Sequence, residues 1–68
     1  MESSTTKLAE YLTLPEVAER YRTPEATVRY WRSTGYGPKG ARVGARVLYP
    51  RAEIERFDRE LRTRAAAG

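Results

Sequence analysis

The sequence predicts a mainly α-helical fold with one small β-hairpin: two short, tightly joined helices, a two-stranded ribbon and a closing third helix. Three observations predict it. Apolar residues recur at helical spacing in three separate segments, and only Arg22 and Thr23 part the first segment from the second. A glycine-rich stretch followed by alternating valines and arginines then separates the second from the third.

Helix one is expected over residues 14 to 21. Thr13, with Glu16 three residues on, forms a capping-box pattern, and Leu14, Val17, Ala18 and Tyr21 return on one side. The second helix is expected from Pro24 to about Ser33, stopping at Gly35. Thr23 is placed to cap its free amides, Pro24 suits the first helical position because its missing N–H would be unpaired there anyway, and Glu25 favours the positive end of the helix dipole. Two helices joined so closely cross steeply, as in a helix-turn-helix. At about 100° per residue, Pro24, Val28 and Trp31 fall in one narrow arc, with Ala26, Arg29, Tyr30 and Ser33 opposite them. One face packs and the other is free to read a ligand.

Beyond Tyr36, Gly37, Pro38 and Gly40 exclude helix. Ala41-Arg42-Val43 and Arg46-Val47-Leu48-Tyr49 flank Gly44-Ala45, whose leading glycine favours a type II′ hairpin. Val43 and Val47 are expected to face the core, with Arg42, Arg46 and the glycine tip projecting outward as a wing. Pro50 opens the last element, in which Ile54, Phe57 and Leu61 share a face and Arg51/Glu55, Glu55/Arg59 and Asp58/Arg62 lie one turn apart. It is expected to run three to four turns and fray beyond Arg62. The expected organisation is a flexible arm at 1–9, a winged helix-turn-helix domain at 10–62 and a flexible tail at 63–68. Its core is assigned to Leu14, Val17, Tyr21, Val28, Trp31, Val47, Ile54, Phe57 and Leu61.

The chain has 68 residues, no cysteine and no histidine, so disulfides, a thiolate nucleophile and the commonest general base and metal ligand are excluded. Neither a deep catalytic pocket nor a membrane span is expected, nor a signal peptide at the start. A soluble, cytoplasmic protein follows as the expectation. The net charge is +4, but its distribution is uneven: residues 22–46 hold Arg22, Arg29, Arg32, Lys39, Arg42 and Arg46 against the single acid Glu25. A basic centre between nearly balanced ends is the footprint of a polyanion-binding surface. With Glu25 alone among basic residues and no paired acids, metal cluster or phosphate-cradling glycine loop, no enzymatic role and no cofactor are expected.

The candidate recognition residues are Thr23, Ala26, Thr27, Arg29, Tyr30, Arg32 and Ser33, and the candidate wing residues are Lys39, Arg42, Gly44 and Arg46. Arg29 and Arg32 are read as phosphate clamps, and Tyr30 as a hydroxyl able to reach a phosphate or base edge. The small residues Ala26, Thr27 and Ser33 permit close entry into a major groove but supply few bidentate base contacts. Arg42 and Arg46 suit a narrow minor groove, where negative potential is enhanced. Trp31, aligned with Val28, is read as core, against the alternative that it stacks on an unpaired base.

Leu12-Thr13-Leu14 followed by Glu16, then Thr27-Val28-Arg29 with Trp31, then a glycine-turned basic hairpin ending in Tyr49, resembles the small winged helix-turn-helix excisionases of phages and integrative elements. These are similar in turn to the DNA-binding head of MerR-type regulators. The resemblance covers residues 11 to 61. It implies a recognition helix in the major groove, a wing in the adjacent minor groove, head-to-tail copies that bend double-stranded DNA, and a phage-type integrase steered toward excision. It also implies a bacterial or phage-encoded protein associated with the nucleoid. By the same resemblance Ala26, Tyr30 and Ser33 stand where family members place base-reading side chains, Thr27 and Arg29 match the Thr-Val-Arg segment, and Arg42 or Arg46 stands for the wing arginine. The family's charged readers are replaced here by alanine, tyrosine and serine, which shifts weight to backbone and DNA shape. MerR-type proteins dimerise through a long coiled coil, before which this sequence stops. A small MerR-like regulator of promoter DNA is the alternative within the fold, and a module gripping an acidic protein partner is the alternative from another class.

Overall fold

A computed structural model describes residues 10–67. The arm expected at 1–9 lies outside the described residues. In chain order the elements are β1 (Tyr11–Thr13), α1 (Leu14–Arg20), α2 (Glu25–Thr34), β2 (Ala41–Val43), β3 (Arg46–Pro50) and α3 (Arg51–Ala67). This is the mainly helical winged arrangement that the sequence predicts, with one added strand.

The capping box of α1 forms as expected, the Thr13 amide donating to Glu16 Oε1 at 2.8 Å and the Glu16 amide to Thr13 Oγ1 at 3.4 Å. The turn into α2 is closed by Arg22 in the left-handed region (φ 54°) and by the Thr23 amide donating to the Ala18 carbonyl at 2.9 Å. A non-glycine residue there costs about 1–2 kcal/mol, which the packing of the two helices must offset. Thr23 does not cap α2. Pro24 holds the cap position with φ −63° and ψ 151°, its carbonyl accepts from the Thr27 and Val28 amides, and no side chain caps the first turn. At the far end Gly35 closes the helix in a left-handed conformation, as its position in the sequence implies.

The three strands form an antiparallel sheet in the order β1-β3-β2. Gly44 has φ +63° while Ala45 keeps φ below zero, which selects the type II′ turn. That turn fixes Val43 opposite Arg46 and Arg42 opposite Val47. Residues directly opposite share a face of the sheet, so the expectation that Val43 joins Val47 against the core is overturned. Val43 lies on the outer face with Arg46 and is 57% exposed. Arg42 shares the inner face of Leu12, Val47 and Tyr49, but sits beyond the core's rim and is exposed.

Pro50 completes β3, and α3 begins at Arg51, whose amide donates to the Glu10 carbonyl at 2.7 Å. The helix has 17 residues and passes well beyond Arg62. Ala65, Ala66 and Ala67 are the strongest helix formers available, and no glycine or proline intervenes before Gly68.

Val17, Ala18, Val28, Tyr49 and Ile54 form the buried core, with Leu12, Leu14, Tyr21, Trp31 and Val47 packed around it half-buried. Phe57 is buried beside them, its ring centroid 5.3 Å from Tyr21, 5.8 Å from Trp31 and 5.5 Å from Tyr36. Leu61 is half-buried. The apolar face read for each helix is thus the packed one, while Pro24 is exposed and Tyr49, Ala18 and Leu12 join the core.

Candidate nucleic-acid interface

With Val28 and Trp31 turned inward, α2 presents Ala26, Arg29, Tyr30, Arg32 and Ser33 to solvent, whereas Thr23 and Thr27 are half-buried. Tyr30 is the most exposed large aromatic, at 67%. The Arg29 guanidinium lies 3.7 Å from the Glu25 carboxylate one turn back, and both side chains are at least half exposed. Such a pair contributes only a few tenths of a kcal/mol, so exchanging the carboxylate for a phosphate costs little. Ser33 spends its hydroxyl proton on the Tyr30 carbonyl at 2.9 Å, which leaves its oxygen only as an acceptor.

Two depressions link α2 to its surroundings. One runs between α2 and the hairpin, lined among others by Thr13, Pro15, Glu25, Arg29, Ala45 and Arg46. The other lies at the C-terminal end of α2, where Arg32 meets Gly35, Tyr36, Pro38, Lys39 and Gly40. The fold thus places a recognition-helix arginine beside a hairpin arginine in one groove, and an arginine beside a lysine in the other. Gly44 is exposed at the hairpin tip. Arg42 and Arg46 are both exposed but leave the ribbon from opposite faces, so they do not act as one outward pair.

The scaffold under this surface is fixed by charge. The sequence sets Asp58 one turn from Arg62, and in the fold its carboxylate also accepts from Arg20 Nη2 at 2.5 Å and from the Tyr21 hydroxyl at 2.8 Å, tying α1 to α3. Burial raises the Asp58 pKa, but the hydrogen bonds from Arg20 and Tyr21 outweigh it and hold the carboxyl below its usual range. Burial and the bond to Asp58 push the Tyr21 phenol up to about 12. On the other side of α3, Glu53 accepts from the Lys39 amide at 2.9 Å, and Arg56 binds Glu53, Glu60 and the Gly37 carbonyl. The Arg56 bond and the Lys39 amide lower the Glu53 pKa. Sequence reasoning missed both clusters, because each joins residues that are far apart in the chain.

Helix pair, hairpin and basic outer surface together define a DNA-binding helix-turn-helix domain. Residues 11–62 match a family model described as a helix-turn-helix domain, and the chain belongs to that family. Neither a curated protein nor a solved structure gives a match. No helix among the described residues is long and apolar enough to cross a membrane.

Proposed function

We propose that the protein is an architectural, non-enzymatic double-stranded DNA-binding protein of the excisionase type, which bends attachment-site DNA and steers a phage-type integrase toward excision. The observation that carries this reading is the groove shared by Arg29 of α2 and Arg46 of the hairpin, which aligns two cationic elements along one surface. A helix about 10–12 Å across fits a major groove about 12 Å wide, with Tyr30 toward the base edges and Arg29 and Arg32 toward the backbone. The hairpin then reaches the neighbouring minor groove with Arg46 or Arg42, where an arginine meets enhanced negative potential. Ala26 and Ser33 bring few hydrogen bonds to bases, so DNA shape carries much of the selectivity and copies lying head to tail supply the rest. The excisionase role is supported by the motif resemblance at Leu12–Leu14, Thr27–Trp31 and the glycine-turned hairpin.

Five exposed cations, Arg29, Arg32, Lys39, Arg42 and Arg46, give an expected log-log salt slope of about −4.5, or about 500-fold weaker binding between 50 and 200 mM salt. The test is footprinting on the attachment sites of the host element, followed by recombination with its integrase present. Protection of those sites and a shift toward excision are expected. Binding to a promoter with no effect on recombination would replace this role with that of a MerR-like regulator, and a flat salt curve would remove DNA binding itself.

A further inference from the structure

The cleft at the C-terminal end of α2 holds two cations and no acid. Arg32 and Lys39 line it with Gly35, Tyr36, Pro38 and Gly40, and its volume is about 340 Å³. Two like charges facing one open cleft repel until an anion joins them. Arg32 is carried by a helix, but Lys39 sits in a loop with glycine at 35, 37 and 40, whose backbone is the most costly to order. Something must therefore hold Lys39 in place.

The restraint comes from α3. Glu53 Oε1 accepts from the Lys39 amide at 2.9 Å, from Arg56 Nε at 3.1 Å and from Arg56 Nη2 at 2.9 Å, so one carboxylate oxygen ties the loop amide to the guanidinium. Arg56 Nη2 also donates to the Gly37 carbonyl at 3.1 Å, while its Nη1 is engaged by Glu60. The loop is thus held on both sides of the buried Pro38. A planar fork with several fixed donors can do this where an ammonium cannot.

We propose that Glu53 and Arg56 are positioning residues for DNA binding: they latch the Gly37–Lys39 loop to α3, so that Lys39 and Arg32 each hold a backbone phosphate of the duplex at the rim of this cleft. This rests on the DNA-binding reading above and extends it to residues that touch no DNA. The charge bookkeeping runs against the latch, which makes its test decisive. Removing Glu53 adds one unit of positive charge to the protein, so long-range attraction alone tightens binding to DNA.

The test measures duplex binding by fluorescence anisotropy between 50 and 200 mM salt for the wild type, Lys39→Ala, Glu53→Ala and the double variant, each checked for folding by circular dichroism. Losing one phosphate contact flattens the log-log slope by about 0.9, so the variant loses about 3.5-fold less affinity than the wild type across this fourfold salt step. Lys39→Ala and Glu53→Ala are both expected to weaken binding at 50 mM salt and to flatten the slope by this amount, and the double variant to match Lys39→Ala alone. Should Glu53→Ala fail to fold, Arg56→Lys, which keeps the charge but not the fork, is expected to give the same flattening and the same coupling to Lys39→Ala. Binding by Glu53→Ala (or Arg56→Lys in its place) at least as tight as wild type, or effects that multiply with Lys39→Ala, overturns the latch while leaving DNA binding intact. A wild type that leaves the duplex signal unchanged overturns the DNA reading and this proposal together.

Discussion

Tyr21→Phe isolates the bond that ties α1 to α3. The substitution removes only the hydroxyl that donates to Asp58 at 2.8 Å and keeps the ring, whose centroid lies 5.3 Å from Phe57 and 6.2 Å from Trp31. A hydrogen bond to a charged acceptor contributes about 1.5–3 kcal/mol, which is the expected loss at neutral pH. Titration gives an upper limit, because burial is the larger cause of the raised phenol pKa and the bond to Asp58 the second. The phenol is raised from 10.0 to about 12 in the fold. A group whose folded pKa is raised contributes stability that is fully present below its unfolded value and is lost as pH climbs through the folded one. At 1.36 kcal/mol per unit this is at most about 2.7 kcal/mol, reduced by solvent at a half-buried site to about 1–2, and it disappears between about pH 10 and 12. Urea unfolding followed by circular dichroism from pH 7 to 11.5 reads both effects. The wild type is expected to start more stable and to converge on Tyr21→Phe as the pH rises. Parallel curves, with a constant gap or none, would refute the Tyr21–Asp58 bond as the source.

Phe57→Ala empties the centre of the aromatic cluster at a cost of about 3–5 kcal/mol, so this 68-residue chain should be largely unfolded in a room-temperature melt. Tyr49→Phe should raise the urea midpoint by the equivalent of about 1 kcal/mol, because the Tyr49 hydroxyl is buried with no hydrogen-bond partner among the described residues; a lowered midpoint would show that it has one. Gly40→Ala would place a Cβ 2.8 Å from Tyr49 Cε2 and 3.0 Å from Val47 Cγ1, and the forced displacement should cost about 1–3 kcal/mol in the same assay.

Local signals in the sequence were enough for much of this fold. The capping box at Thr13 and Glu16, the glycine ending α2 and the Gly44 turn each depend on residues within a few positions, and each forms as read. What escaped depends on partners far along the chain. Tyr11–Thr13 is too short to show alternation, and becomes a strand only because Leu48–Pro50 lies beside it. Tyr49 has the alternation of any strand residue, and its burial follows from α1 and α3 closing over one face of the sheet. The exposure of Val43 was legible, since a two-residue loop sets residues 43 and 46 opposite each other and puts 47 on the other side. On the interface, the helical period sorted Ala26, Arg29, Tyr30 and Ser33 outward correctly, because Val28 and Trp31 fix the inner arc. The grouping of Arg29 with Arg46, and of Arg32 with Lys39, needed the fold.

The central claim is that α2 and the hairpin, rather than another basic surface, meet the double helix. Chemical-shift mapping of the labelled protein with a duplex tests it most directly, because α3 carries a second basic groove, at Arg56, Arg59 and Arg64, that could compete. Shifts concentrated at Arg29, Tyr30, Arg32, Lys39 and the Arg42–Arg46 tip are the predicted result. Shifts confined to Arg59–Arg64, with Tyr30 unmoved at saturation, would contradict it.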